Sequence, residues 1–512
     1  MTIVVQLLSL PMYGQSITID NLTYTVNGTG VSVTQAGYWN YNHTVFIKVS
    51  GDIIIPESVS ISETDYPVTE IADNVFKDYT GVTSISLPEG LLTIGSNAFY
   101  GCVNMVTANI PSTVTTIKDH AFGGCRSWSD PLIIPAGVTE IGESAFSSCY
   151  EIPSITFQTT NLTSIGSHAF SVCKKLTEIE IPETVTSMGS GVFATSTALK
   201  YVKLPDGLKE LPASTFLSCS ALRNIKLPNS LTNIDESSFA SSGIEQIVIP
   251  ENVNKMKEVF YGCTNLSDVI FLGETPPQLN GTITHMFGSA VNIYVKSSSL
   301  SAYKTTYSNA GGTGGATLFK SNIPYASTVK YSTFSCEFDV DFSGCTKATV
   351  MTVTGNDDTN KSLLYNILSD GYVPAGEGVL IANVTQADDL SYTIGERTGV
   401  TIGTNYLKGV PEAATISPTE EGCTNYVLKN GVFRPFANPG VLGAHKAYLS
   451  LPNGGGLAHE YVIDSYCGVT IINEIDNKES KNNYVLYDVN GRQTTSHKKG
   501  LYLIGNKKVL IK

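Results

Sequence analysis

The chain has 512 residues, 42% of them hydrophobic and only 15% charged, with a net charge of −13 at pH 7. That length predicts two to four domains. The acidic balance excludes nucleic acid as the main partner, because no overall basic field draws in phosphates. No apolar run is long enough to span a bilayer.

Residues 3–12 (IVVQLLSLPM) are apolar and end near Gly14-Gln15, which has the look of a cleavage point. Residues 1–14 therefore read as the remnant of a signal peptide without its basic start, with an ordinary first strand as the alternative. Residues 15–52 are expected to form an N-terminal β cap.

From residue 53 to 308 a phenylalanine returns regularly: Phe76, Phe99, Phe122, Phe146, Phe170, Phe193, Phe216, Phe239 and Phe260. A fixed period of this length predicts a stack of similar coils, a solenoid that presents a long open surface. One unit reads Leu176, Ile179, Ile181, Pro182, Val185, Met188, Phe193, and Leu199 restarts the series. Apolar and polar residues alternate before each proline, as in a strand with one buried face. The proline, lacking an N–H, ends the strand. Segments such as VTEIG (138–142) and LTSIG (162–166) carry the chain round the corner, and Gly95, Gly142, Gly166 and Gly189 are expected in tight turns there. Stacking places each Phe on the last, and eight or nine coils about 4.8 Å apart make a rod roughly 40 Å long.

Six of the ten cysteines (Cys102, Cys125, Cys149, Cys173, Cys219 and Cys263) fall three residues after a ladder Phe, where Ser196 and Ser242 stand in other coils. The slot reads as one for a small buried residue. Parallel side-chain directions disfavour disulfides between coils. Cys336 and Cys345 flank FDVDFSG and are placed to close a hairpin through a disulfide; Cys423 and Cys467 are left open.

The sequence LxxIxIP, followed by VTxIG and AFxxC, resembles the BspA-like leucine-rich repeat family over roughly residues 55–305. The resemblance implies a right-handed leucine-rich-repeat solenoid. The segment VNIYVKSSSLSAYKTTYS (291–308) resembles that family's closing cap, a strand and then a short helix. Family members are mostly secreted or surface proteins of bacteria and some protists, associated with adhesion to host matrix proteins and other cells. The resemblance thus implies a secreted or outer-surface binding protein, not an enzyme.

A Gly-rich linker occupies 309–324. From 325 to 467 short β-type runs alternate with turn signals such as Asn430-Gly431, predicting an antiparallel β-sandwich or barrel. VPAGEGVLI, NYVLKNGVF and KAYLSLP resemble a β-domain found after repeats in Bacteroidetes surface proteins. Residues 468–512 resemble the C-terminal sorting tails of Bacteroidetes, through Tyr487, Asp488, Gly491, Arg492, Gly500, Tyr502, Ile504, Lys507, Lys508 and Lys512. A small β-meander completing the preceding domain is the alternative.

No nucleophile, phosphate-loop or zinc signature occurs, so no catalytic residue, cofactor or metal is assigned. His120 and His168 share a repeat position two coils apart, about 10 Å, too far to share a metal. Asp339 and Asp341, and Asp357 and Asp358, are candidate calcium contacts or plain turn acids. The candidate binding residues lie on the sheet face of the solenoid: Lys200, Tyr201, Lys203, Arg223, Asn224 and Lys226. The period sets Lys203 beside Lys226 and Lys200 beside Arg223. Such a patch suits an acidic protein segment or an anionic glycan; alternatively Glu178, Glu180 and Glu245 balance it as a solvated face. The leading expectation is adhesion to an extracellular protein. The runner-up is a carbohydrate-binding component of a glycan-uptake system, with Phe433, Phe436, Tyr448 and Tyr461 as sugar platforms.

Overall fold

In the computed structural model the chain divides into two compact units, 1–320 and 321–512. The described residues are 14–452, except 40–45, 159–160, 281–285, 288–290, 308–318, 326–330, 346, 358–361, 384–389, 398, 411–413, 421–422, 430–431, 437 and 443–445, together with the backbone of 461–462, 469–472, 486–487, 493–494, 500–504 and 507–511. All but the last residue of the proposed signal remnant, most of the linker and Cys467 lie outside them.

The first unit is a β-solenoid of about 10 turns. It opens with an antiparallel meander, Ser16–Ile19, Leu22–Val26 and Val31–Ala36. The last of these pairs in parallel with Thr64–Ile71, which starts the coil stack. Most coils then contribute two short strands. The strands before the prolines line one side, the face ladder, in several separate parallel segments, among them Leu132–Ile134 on Ile155–Phe157 and Glu178–Glu180 on Tyr201–Lys203. The TIG-like segments do more than turn a corner. Thr93–Ile94, Thr116–Ile117, Glu140–Ile141, Ser164–Ile165 and Ser187–Met188 form a second parallel ladder at the rear.

The glycines after that rear ladder are not turn residues of positive φ. A Cβ on Gly142 would lie 2.4 Å from the Lys118 carbonyl carbon, and one on Gly166 2.6 Å from the Glu143 nitrogen. They are needed because neighbouring coils approach backbone to backbone.

The third side of each coil is the Phe turn. Successive rings from Phe76 to Phe260 lie 5.0–6.1 Å apart between centroids and within 22° of parallel. The rings are buried, and Phe287 extends the column, tilted by 32°. Backbone hydrogen bonds lock the turns together: Phe122 N–H donates to Ala145 O (2.8 Å) and Phe146 N–H to Ala169 O (2.9 Å). The residues two before and two after each ring are left-handed, with φ between 43° and 77°. That conformation favours Gly, Asn and Asp, and Asn74, Asn97, Asp78 and Gly124 fill it. His120 and His168 sit in this slot as well, and Gly191 leaves room for the His168 imidazole. Val172 also occupies it, at φ 59°.

The Cys/Ser slot proves to need a donor as well as small size. Cys102, Cys125 and Cys149 Sγ donate to the carbonyls of Phe76, Phe99 and Phe122 at 3.2–3.3 Å, and Ser196 Oγ donates to Phe170 O at 3.1 Å. Each thiol thus satisfies a carbonyl of the preceding ring's coil. A strand, Asn292–Val295, and a helix, Leu300–Thr306, follow, with Tyr303 buried and its hydroxyl donating to Gly273 O at 3.0 Å, and Phe319–Lys320, placed in the linker by the sequence, closes the unit by pairing in parallel with Asn292–Val295.

The second unit is built of mainly antiparallel sheets. The strands flanking Asn430-Gly431, Cys423–Lys429 and Val432–Pro435, pair as the hairpin signal predicts; the two turn residues lie outside the described ones. Met351, Val353, Leu380, Phe433 and Leu449 share its core. Cys336 and Cys345 are both free thiols, so the hairpin disulfide is not formed. Here Cys345 N–H closes a turn onto Phe342 O (2.8 Å), and Cys336 is buried.

Phe193→Ala should cost about 3–5 kcal/mol through the cavity it opens, read from urea unfolding of the first unit's signal. Val172→Asn should raise stability by up to about 1 kcal/mol by relieving a β-branched left-handed residue; a loss of stability would count against that strain. Burial raises the thiol pKa of Cys102, Cys173 and Cys219 from 9.0 to about 12. Between these values the native thiols keep protons that the unfolded chain has lost, so their contribution is present below pH 9 and is lost as pH climbs toward 12. Unfolding midpoints should therefore fall above pH 9, and less steeply in Cys173→Ser/Cys219→Ser; equal slopes would refute the assignment.

Candidate functional site: the solenoid face

Side chains of the face ladder alternate between the core and solvent. In the Tyr201–Lys203 strand, Val202 is buried while Tyr201 and Lys203 point outward. All six candidate residues, Lys200, Tyr201, Lys203, Arg223, Asn224 and Lys226, are exposed. Glu178 pairs across from Tyr201 and Glu180 from Lys203. The next coil is offset by 23 residues, as Glu210↔Asn233 and the Ser220 Oγ to Thr197 O bond (3.4 Å) show. The same offset aligns Arg223 with Lys200 and Lys226 with Lys203.

The patch is partly compensated. Lys203 Nζ lies 3.2 Å from Glu183 Oε1 and Arg223 Nη1 3.5 Å from Glu245 Oε1. Arg223 also donates to Gly243 O at 3.3 Å. The Glu183 carboxyl is held below its ordinary range, first by the Asp206 N–H and then by Lys203. In turn Glu183 raises the Lys203 ammonium. Both groups are exposed, so the pair adds little stability. Lys200 and Lys226 have no such carboxylate partner among the described residues.

A feature hidden from the sequence lies between these coils. Residues 222–228 form no strand, so the face ladder stops at Tyr201–Lys203 and resumes at Gln246–Ile249. The core beneath is unbroken, with Ile225 and Leu227 buried. The face ladder also lapses between Thr107–Ala108 and Leu132–Ile134 and between Ile155–Phe157 and Glu178–Glu180, so breaks in it are tolerated wherever the core beneath stays closed. Over the adjoining coils lies a groove of about 490 Å³, lined among others by Thr156, Phe157, Glu178, Glu180, Tyr201 and Lys203. A second trough, about 610 Å³, runs over the rear ladder above Gly142, Gly166 and Gly189.

Other candidates resolve into structural roles. Asp339 Oδ2 accepts from the Tyr372 hydroxyl (2.7 Å) and Oδ1 from Ala375 N–H (2.8 Å), while Asp341 accepts Ser343 N–H (2.7 Å). These acids brace loops. Asp358 lies outside the described residues. Among those described, no group of three or more His, Cys, Asp or Glu is placed to hold a metal. Of the proposed sugar platforms, Phe433 is fully buried in the core, Phe436 and Tyr448 are half-buried, and the Tyr461 side chain is outside the described residues. Among the described residues the carboxyls that shift clearly, Asp52, Glu183 and Asp370, shift downward, opposite to what a general acid needs. Among the described residues no helix is long and apolar enough to cross a membrane.

The model of the BspA type leucine rich repeat region matches residues 56–161 and 139–267, in six copies. Residues 56–267 are a BspA-type leucine-rich repeat region. The BspA-type repeat thus carries the whole candidate patch. No curated protein matches the chain. Among solved structures, a leucine-rich repeat protein from Bacteroides ovatus is 27% identical, over 55% of this chain and 70% of its own, with a TM-score of 0.41. A leucine rich cell surface protein from Faecalibacterium prausnitzii is 22% identical, over 56% of this chain and 89% of its own, with a TM-score of 0.35.

Proposed function

We propose that this protein is a secreted or surface-displayed binding protein that attaches to an extracellular ligand through the face of its BspA-type solenoid, without catalysis. The observation that carries this reading is the exposed cluster Lys200, Tyr201, Lys203, Arg223, Asn224 and Lys226 on a chain of net charge −13. A solenoid holds such groups on a rigid lattice, so little ordering is lost on binding. Leucine-rich repeat proteins are typically non-enzymatic binders, which favours a binding role. Adhesion to a host or neighbouring-cell protein fits an open face flanked by acids that select against mismatched charge. The lectin alternative loses Phe433 as a platform, because that ring is core.

Replacing Lys200, Lys203, Arg223 and Lys226 together by Ser should abolish most salt-sensitive attachment to the bound surface while leaving the unfolding midpoint nearly unchanged. Attachment of the variant that matches the parent in strength and in salt response would remove the face from consideration.

A further inference from the structure

The cations of the solenoid extend past the face patch. Arg126, Tyr150 and Lys174 directly follow the ladder residues Cys125, Cys149 and Cys173, so they occupy equivalent places in three successive coils, at the rim from which the face ladder starts. The Arg126 guanidinium carbon lies 5.5 Å and Lys174 Nζ 4.2 Å from the centroid of the Tyr150 ring. One phenol is thus held between a cation from the coil before and a cation from the coil after. Arg126, Lys174 and Lys175 are exposed and Tyr150 is half-buried. Asp130, Glu151 and Glu178 are the exposed acids nearest in the chain, yet among the described residues no ion pair joins any of them to these cations. Lys175 N–H donates to Tyr150 O at 3.0 Å, and Lys200 N–H to Thr177 O at 2.8 Å, which tie the rim to the coil that begins the face patch. A cationic row therefore runs obliquely over five coils: Arg126, Lys174, Lys175, Lys200 and Arg223. At about 4.8 Å per coil, its ends are roughly 20 Å apart along the stack.

The spacing of this row selects the ligand. Its positive charges recur in steps of one or two coils, about 5 or 10 Å. An extended peptide repeats its side chains on one face every ~6.7 Å and drifts out of step with the coils at once. A linear acidic polysaccharide carries one carboxylate or sulfate on each sugar or on alternate sugars, and a pyranose unit is about as long as one coil is thick. The aromatic clamp adds pre-organisation: Tyr150 holds two long side chains over its faces, so less rotamer freedom is lost when an anion arrives. We propose that the row Arg126–Tyr150–Lys174–Lys175–Lys200–Arg223 is a binding track for a linear anionic polysaccharide, carboxylated or sulfated. It rests on the proposed binding face only through Lys200 and Arg223; the rim is independent of it.

The full chain should be titrated with a polyuronate, dextran sulfate, neutral dextran and poly-glutamate at low and physiological salt. The polyuronate or dextran sulfate should bind with affinity that falls as salt rises, and the stronger of the two identifies the anion; neutral dextran should not bind. Arg126→Ser/Lys174→Ser/Lys175→Ser should weaken binding on the order of tenfold at low salt. Tyr150→Leu, which keeps every charge, should weaken it less, and Lys174→Arg should retain it. Unchanged binding by the triple variant overturns the track while leaving the face patch, tested by its own variant, untouched. Poly-glutamate binding as tightly as the polysaccharides at equal charge overturns the polysaccharide in favour of an acidic protein.

Discussion

Contact between one Phe turn and the next is the constraint on which the rest of the solenoid depends. A coil of about two dozen residues cannot bury its own apolar side, because after Thr64–Ile71 its strands are only two to five residues long. Stacking supplies the missing half of every interface. The rings stand nearly parallel, and the backbone on either side of each ring is hydrogen-bonded to the coil above. Two otherwise unrelated features follow. The left-handed residues flanking each ring are what bend the chain sharply enough to present that backbone. The thiol or hydroxyl three residues on then satisfies the carbonyl of the earlier ring. The repeat is a hydrogen-bonding device as much as an apolar one, which is why Ser substitutes for Cys in the slot.

The same constraint governs the surface. Since coils are locked in register at the core, an outward residue is fixed opposite its counterpart 21 to 24 positions away, whether or not the two charges suit each other. Where the face ladder lapses between Lys203 and Lys226, the core beneath stays closed. Burial of Ile225 and Leu227 outweighs a few strand hydrogen bonds that water can replace. The surface is therefore free to vary in charge without loss of fold, the property a binding scaffold needs.

Much of this was legible in the sequence, and the parts that were not have definite causes. The Phe column, the proline-ended strands and the cation cluster announce themselves by period alone. The rear ladder does not, because a two-residue strand such as Glu140–Ile141 is too short to show alternation. Gly142 and Gly166 look like turn glycines in the sequence; only the neighbouring coil's backbone shows that they serve close approach. Phe287 follows Phe260 by more than the regular step and so drops out of the count, though its ring continues the column. The donor role of the cysteines is invisible in sequence, since Cys and Ser share smallness as well as a polar hydrogen. Asp339 resembles a calcium contact until Tyr372, 33 positions away, is seen to bond it. Interactions that cross between coils or sheets leave their trace only where they are periodic.

That distinction bears on the clamp at Tyr150. Read singly, Arg126, Tyr150 and Lys174 are unremarkable surface residues two dozen positions apart. The lattice makes them neighbours, and their order matters: with a tyrosine in the coil between, the two cations stand two coils apart and both are attracted to the ring. On the face patch the alternative remedy appears, with Glu183 and Glu245 drawn to Lys203 and Arg223. An ion pair neutralises the cation it steadies, whereas a ring steadies it and leaves its charge outward. The rim cations therefore keep their charge outward, as Lys200 and Lys226 do on the face, and it is these cations that an anionic chain gains from.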